Sequence, residues 1–596
     1  MKRNYRNRLS LNTNSFYKRL FFPLAVMLLF FSSCKKNNFS PDVPVPVGFN
    51  HIEMKGELYQ RAMKNFDRLE TEIYYPENVF PEHHHATSAG WPGDKEGRTI
   101  LGLVMEARAT HRTPKYLDEM IRILPEKLNK KGYLGPVQGD TIDEQQLSGH
   151  GWLLRGLCEY YTWKEDPKVE SYIKCIIQNL ALPTKGHHQN YPIKPEDRIS
   201  GMGGMSGSSA NIVNGWKLST DVGCDFIFLD GVVQAYSLFP SDSLKSLIAE
   251  MISRFLEMDL VRIKAQTHAT LTGLRALMRY YEITGNENLL REVEKRYSLY
   301  REQAMTENYE NYNWFGRPEW TEPCAIVDSY LLAVQLWQYT QSPQFLDDAQ
   351  LIYYNALGHV QRANGGFGCD NCPGPVDNCL SVKADEAYWC CTMRGGEGLA
   401  RAIGYSYFLK GDTLFIPAFY ESSVSFKIHG NPVSITQHTD YPFDNEVTLH
   451  VDSLQNSEKL TICLFVPSWF QTQEVTINQK FVSAQEKNRF LTIPSEVKSG
   501  DVIKYSFSMK SGVENIFNAV HSRSGNIRLF YGPLLLGNEG NGDVSVPRNA
   551  TIEKTGRNSF CIKGTDIKLS PVYHLMESRV SRESGYRKQI LFRQDI

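Results

Sequence analysis

Residues 153–163, LLRGLCEYYTW, and 271–284, LTGLRALMRYYEIT, decide the fold. In each, apolar side chains recur at three- and four-residue spacing, the period of a helix with one buried face. The two stretches also match each other. Leu154-Arg155 aligns with Leu274-Arg275, and Tyr160-Tyr161 with Tyr280-Tyr281, at a constant offset of 120 residues. With about 60 residues per helical hairpin, the offset is two hairpins. Six such hairpins fit an (α/α)6 barrel better than an open solenoid, whose periods run roughly 34–47 residues.

Working outward, the helical pattern extends from about residue 55 to 410, with twelve expected helices beginning near Leu58, Arg98, Lys115, Gly151, Lys168, Ile227, Asp242, Thr270, Asn286, Ala325, Phe345 and Arg394. The longest connection, 184–216, is rich in glycine, but no strand precedes it and no GK[ST] follows, so it is no phosphate loop. Its length marks it as a flap beside a cleft. Near residue 412 the pattern becomes short, alternating and β-branched, as in SSVSFKIHG, NEVTLHVDS and DVIKYSFSM. Strands at this spacing indicate a β-sandwich. The expected class is thus an α + β multidomain chain: an (α/α)6 barrel over 51–411, then a β-sandwich domain over 412–596.

The first 33 residues read as a targeting segment. Lys2, Arg3, Arg6, Arg8, Lys18 and Arg19 precede an apolar run from Leu20 to Phe31, too short to span a bilayer as a helix. Ser32 and Ser33 then lead to Cys34. This resembles a bacterial lipoprotein signal cleaved before a Cys that is lipidated, although Phe31 stands where Leu is usual. A plain signal or a membrane anchor is the alternative. Residues 34–50, polar and Pro-rich, read as a tether. A protein of the bacterial cell envelope is implied, anchored by lipid at the outer membrane, on its periplasmic or surface face. The formal charge of −1, without a basic block, excludes a nucleic-acid partner as the simplest reading. Loss of residues 1–33 removes six cations and no acid, leaving −7.

Candidate chemistry centres on the adjacent Cys390-Cys391. Neighbouring residues cannot form an unstrained disulfide. Both thiols are buried and free, or bridge elsewhere, or bind one metal. The third option finds partners in Glu322 and Cys324 of TEPCA, and one carboxylate with three thiolates suits zinc. Cys369, Cys372 and Cys379 fall in a loop-like stretch and offer a disulfide or a second metal site. Cys158, Cys175 and Cys463 sit in apolar patterns and read as buried hydrophobes. The run His83-His84-His85 reads as an exposed loop rather than a metal site. Asp221 and Asp225 flank Cys224 and are candidates for sugar hydroxyls.

The Glu-x-Cys at 322–324, the vicinal cysteines at the head of a helix and DTLFIPAFYESS leading into a sandwich resemble glycoside hydrolase family 127 (GH127) and related β-L-arabinofuranosidases. The resemblance covers roughly residues 50–540. It implies a zinc ion held by Glu322, Cys324, Cys390 and Cys391. It further implies that Cys390 is the nucleophile of a retaining exo-glycosidase releasing β-L-arabinofuranose from an oligo- or polysaccharide. The family's acid/base glutamate maps to Glu307, one residue short of the family spacing and preceded by Thr306 in place of glycine. Glu310 is the alternative. Histidines that line the sugar site map to His150 and His268, with His187 and His188 in a loop that does not match the family helix. If the cysteines are structural, the alternatives are a carboxylate-based hydrolase or lyase on the same barrel, or a glycan-binding lipoprotein.

Overall fold

The computed structural model describes residues 42–595 apart from 82–89, 199–208, 375–376, 494–496, 518–524, 541 and 575–579. The signal segment with Cys34, and His83 to His85, lie outside the described residues. Among those described, no helix is long and apolar enough to cross a membrane.

Twelve helices of nine residues or more, among the described residues, make two rings. In chain order they are α1 Gly56–Leu69, α2 Asp94–Thr110, α3 Leu117–Lys127, α4 Glu144–Lys164, α5 Pro167–Ile176, α6 Asp225–Leu238, α7 Asp242–Glu257, α8 Thr267–Thr284, α9 Glu287–Gln303, α10 Pro323–Thr340, α11 Gln344–Ile352 and α12 Cys391–Gly404. Each even-numbered helix packs on the next even-numbered one, and α12 closes the ring against α2. The odd-numbered helices pack outside, each beside its even-numbered neighbour. This is the (α/α)6 barrel expected from the repeat.

The expected helix starts fall close to these. The largest departure is α4, which begins at Glu144, seven residues before Gly151. Asp143 caps it by accepting from the backbone N–H groups of Gln145 and Gln146. The polar, glycine-rich first turns hide the start, because Gly149 and Gly151 are bad helix formers kept for packing. A Cβ on Gly151 would lie 2.5 Å from the Ile227 carbonyl oxygen, and one on Gly97 would lie 2.2 Å from Leu153 N. Only glycine lets α2, α4 and α6 approach this closely.

The β-region has three principal sheets. One six-stranded sheet contains Thr413–Ile416, Thr461–Phe465 and Phe490–Ile493. A seven-stranded sheet contains Phe470–Ile477 together with Ser422–Ile428, Asn431–Thr439, Glu446–Ser453 and Val502–Met509, and in these last four buried positions alternate with more exposed ones. That alternation gives each strand one core face. A further eight-stranded sheet is built from residues 511–594. Trp337 of α10 meets Phe408 edge-on at 5.0 Å and stacks on Phe490 at 5.6 Å, joining barrel and sandwich.

Two pairings cross the expected layout. The end of the stretch read as a tether is a strand, Val45–Pro46, paired with Phe408 and Leu409. Cys369 and Cys379, read as loop residues, lie in paired strands Cys369–Asn371 and Cys379–Ala384, and Arg587–Gln589 extends that small sheet. Cys369, Cys372 and Cys379 are all free thiols.

Candidate active site

The first turns of all six inner helices meet at one end of the barrel around a cavity of about 540 Å³. Asp94, Glu96 and Arg98 come from α2, Ser148 from α4, Ile227 from α6, Gln266 and His268 from α8, Glu322 from α10, and Cys390 and Cys391 from α12. Helix N-termini carry partial positive charge, so this end of the barrel favours anions. Glu322 is the N-cap residue of α10, with Pro323 in the first helical position, and Cys390 is the N-cap of α12. Neither side chain caps its own helix. Both are left to face the cavity.

Glu322, Cys324, Cys390 and Cys391 each offer one ligand atom, and the four atoms lie within 4.8 Å of one another. Cys391 Sγ is 3.5 Å from Cys324 Sγ and 3.2 Å from Cys390 Sγ. Sulfurs bound at about 2.3 Å to one tetrahedral zinc ion lie about 3.8 Å apart. The donor set and its spacing therefore fit zinc after a small relaxation. Arg98 Nη1 donates to Cys324 Sγ at 3.2 Å. Burial alone would push the Cys324 thiol up, but hydrogen bonds from Cys390 and Cys391 and the Arg98 guanidinium outweigh it and hold the thiol well below its ordinary value. Hydrogen bonding to Cys324 pushes Cys390 up, and burial pushes Cys391 up.

Around the cluster the side chains are stacked and bonded in a fixed order. Asp94 holds Arg98 through two bonds of 2.9 Å. Arg98 lies over Trp152 at 4.3 Å, and Trp152 stacks on His268 at 5.6 Å. His268 Nδ1 is 3.1 Å from Glu322 Oε1, and Gln266 Nε2 donates to Glu322 Oε2 at 3.3 Å. His268 Nε2 is 3.6 Å from Asp328 Oδ2. Burial disfavours the imidazolium, yet Glu322 and Cys324 outweigh it and raise His268 above its ordinary value. Sequence reading missed Arg98, Trp152 and Asp328. The Asp94-x-x-x-Arg98 spacing was the available signal for the first of these.

The structure brings Glu322, Cys324, Cys390, Cys391 and His268 together. His150 is elsewhere: it is fully buried, Nδ1 bonds the Gln146 carbonyl at 2.8 Å, and Nε2 accepts from Leu134 N–H at 3.0 Å. Both ring nitrogens are used by backbone, and His150 does not line the cavity. The repeat explains why. The position 120 residues before His268 is Ser148, which does line it. Two further residues turn a helix side chain by about 200°, to the opposite face. His188 is also buried, bonded to Asp225 Oδ2 and Thr184 Oγ1 at 2.9 Å each. Asp221 lines the cavity and Asp225 does not.

Glu307 and Glu310 are fully buried and do not line the cavity. Glu307 Oε2 accepts from Phe517 N–H at 3.1 Å and lies 3.5 Å from Arg528 Nε. Glu310 lies beside Asp370 and His359. The carboxyl groups that line the cavity are Asp94, Glu96, Asp221 and Glu322. Burial raises Asp94 above its ordinary value against the pull of Arg98. Cys369 lines the cavity as well, as do Trp320 and the half-exposed Trp389.

Residues 413–509 match the model of the β-L-arabinofuranosidase GH127 middle domain. The β-region thus resembles a GH127 middle domain, and the chain has the GH127 fold. A solved GH127 β-arabinofuranosidase superposes with a TM-score of 0.69 at 14% identity, covering 93% of this chain and 98% of that one. The GH127 β-L-arabinofuranosidase of Geobacillus stearothermophilus T6 gives a TM-score of 0.68 at 14% identity, over 91% and 100% of the two chains. A structure described as a glycoside hydrolase gives 0.68 at 13% identity, over 93% and 98%. No curated protein sequence matches the chain.

Proposed function

We propose that the chain is a retaining exo-glycoside hydrolase with Cys390 as nucleophile, releasing β-L-arabinofuranose from oligo- or polysaccharides. The observation that carries this reading is the Glu322, Cys324, Cys390 and Cys391 cluster in the wall of a sugar-sized cavity, on a GH127 fold. A zinc ion held by these four residues would keep the thiols deprotonated and protected from oxidation. Cys390 is the partly exposed residue of the trio and the one at the helix N-cap. Its Sγ attacks the anomeric carbon as the bond to the leaving oxygen breaks, forming a thioglycosyl intermediate. The leaving oxygen takes a proton from a carboxyl group across the cavity. Water, giving its proton back to that carboxylate, then displaces the sulfur, and two inversions give retention. We assign the proton donor to Asp94, Glu96 or Asp221, which line the cavity, ahead of Glu307 and Glu310, which do not.

The test is Cys390→Ser, assayed on an aryl β-L-arabinofuranoside beside other aryl glycosides, with zinc quantified in the same sample. Loss of turnover with fold and zinc retained supports the thiolate nucleophile. Undiminished turnover refutes it and favours carboxylate chemistry in the same cavity. Sugar binding without hydrolysis by the wild type favours a glycan-binding protein. We also propose lipid attachment at Cys34, from the basic, apolar and small-residue pattern before it. Absence of incorporated labelled palmitate in the mature protein would refute that.

A further inference from the structure

Behind the cavity wall lies a second set of ligating side chains that the proposed reaction does not use. Glu310 comes from the connection between α9 and α10, His359 from beyond α11, and Asp370 from the strand Cys369–Asn371. All three are fully buried. One ligand atom from each lies within 4.8 Å of the others. His359 Nδ1 is 3.1 Å from the Val572 carbonyl oxygen, which only accepts, so Nδ1 carries the ring proton. The lone pair is then on Nε2, 3.1 Å from Asp370 Oδ2. This contact misses hydrogen-bond geometry, and His359 Nε2, Asp370 Oδ2 and Glu310 Oε2 have no hydrogen-bond partner.

Three polar atoms buried together outside hydrogen-bond geometry are costly. The surrounding charges do not relieve them. Arg362 Nη2 donates to the other Asp370 oxygen at 2.6 Å, and the Asn308 amide donates to the other Glu310 oxygen at 2.8 Å. Arg362 thereby pairs with Asp370, while Glu310 forms an ion pair with no cationic side chain among the described residues. Neighbouring ligands bound at about 2.1 Å lie about 3.4 Å apart on a tetrahedral ion and about 3.0 Å apart on an octahedral one, and the 3.1 Å separation falls in that range. A backbone carbonyl fixing Nδ1–H is the usual partner of a histidine that ligates through Nε2.

We propose that Glu310, His359 and Asp370 hold a second divalent cation of the first transition row, zinc foremost. One imidazole and two carboxylates suit such an ion better than calcium, which takes oxygen ligands only. The ion braces the cavity wall. Thr321 N–H donates to the Asp370 carbonyl, and Asp370 N–H donates to Thr321 Oγ1, both at 2.9 Å. Thr321 precedes Glu322, and Cys369 precedes Asp370, so both neighbours of the braced pair belong to the cavity.

The test counts metal per chain in the full-length Cys324→Ser/Cys391→Ser protein after dialysis against zinc, and after dialysis against manganese. One ion is expected, and it is lost when Glu310→Gln or His359→Gln is added. No ion in the parent variant, or an ion that survives both additions, overturns the proposal. Should the cysteine variant fail to fold, Glu310→Gln is made in the wild type with cobalt as the probe. Cobalt bound without thiolate-to-cobalt charge-transfer absorption reports the second site, and its persistence in Glu310→Gln overturns the assignment. Because thiolate-bound metal is read separately, failure of this site leaves the cysteine-bound ion standing, and the converse also holds.

Discussion

Replacing Asp328 by Asn tests the charge network under the active site. Asp328 is fully buried in α10. It accepts from Arg275 Nη1 at 2.8 Å, Arg394 Nη2 at 2.5 Å and Thr272 Oγ1 at 2.8 Å. Glu397 is the other carboxylate here, and it is already shared by Arg155, Arg275 and Arg394. Asn keeps the shape and removes the charge, leaving two buried guanidinium groups under-compensated. Breaking such a pair costs about 3–5 kcal/mol. For a cooperative unit the size of the barrel, Gly56–Gly404, the unfolding entropy is about 0.7 kcal/mol per degree, so the melting temperature should fall by about 4–7 °C.

The pH dependence follows from the same contacts. Burial opposes ionisation of Asp328, but Arg394 and Arg275 outweigh it and hold the carboxyl well below the ordinary value. A depressed carboxyl contributes stability that is present above its unfolded value and lost as pH falls toward the folded one. The gap between wild type and Asp328→Asn should therefore be full at pH 6–8 and close progressively below about pH 4. Urea melts at pH 7.5 and at pH 3.5, with thermal melts at pH 7.5, measure both quantities. Asp377→Asn is the control, because Asp377 pairs with Arg587 at the surface and should shift the melt by under about 1 °C. A shift for Asp328→Asn as small as the control, or a gap unchanged at pH 3.5, would refute the reasoning.

Among Asp94→Asn, Glu96→Gln and Asp221→Asn, one should lose about 100-fold or more on arabinosides with poor leaving groups while keeping activity on activated aryl substrates. Glu307→Gln should show no such split, and finding it there would return the acid role to Glu307. Trp389→Ala should raise KM for an oligosaccharide about fivefold, since a half-exposed indole at the cavity lip offers a stacking surface worth about 1 kcal/mol. Its melting temperature should not move, and unchanged KM would remove Trp389 from the substrate path. Gly97→Ala should prevent soluble expression or lower the melt by several degrees, because its Cβ would meet the Leu153 backbone at 2.2 Å. A wild-type melt would show that α2 and α4 are not packed as described.

The sequence was legible where local chemistry is constrained. Helix periodicity located the barrel because each inner helix must bury nearly every face, and the repeated Arg155 and Arg275 mark real equivalents. Both reach Glu397 Oε1, at 2.6 and 3.3 Å. Tyr161 and Tyr281 likewise each donate to a glutamate in the following outer helix, Glu170 and Glu287. The cysteine set was legible because three thiols and an acid seldom share helix starts without a reason. The surroundings of Glu307 were not, since they depend on Phe517 and Arg528 more than 200 residues downstream. Asp328 reads as an ordinary acid in an apolar helix until α8 and α12 bring arginines to it.

The repeat supplies scaffold symmetry, and the site comes from breaking it. Each inner helix delivers the same place, the first turn at one barrel end, with a dipole that favours anions. What differs is the side chain each delivers. The ligands are confined to α10 and α12, which are neighbours in the ring, so the separation of 67 positions between Cys324 and Cys391 counts for nothing in space. Closure of the ring by α12 on α2 brings Arg98 to Cys324, 226 residues away in the chain. A vicinal cysteine pair on a free helix would have no cation and no acid beside it. Here the barrel's closure supplies both, and the Arg98–Cys324 contact ties the charge of the cluster to the integrity of the ring.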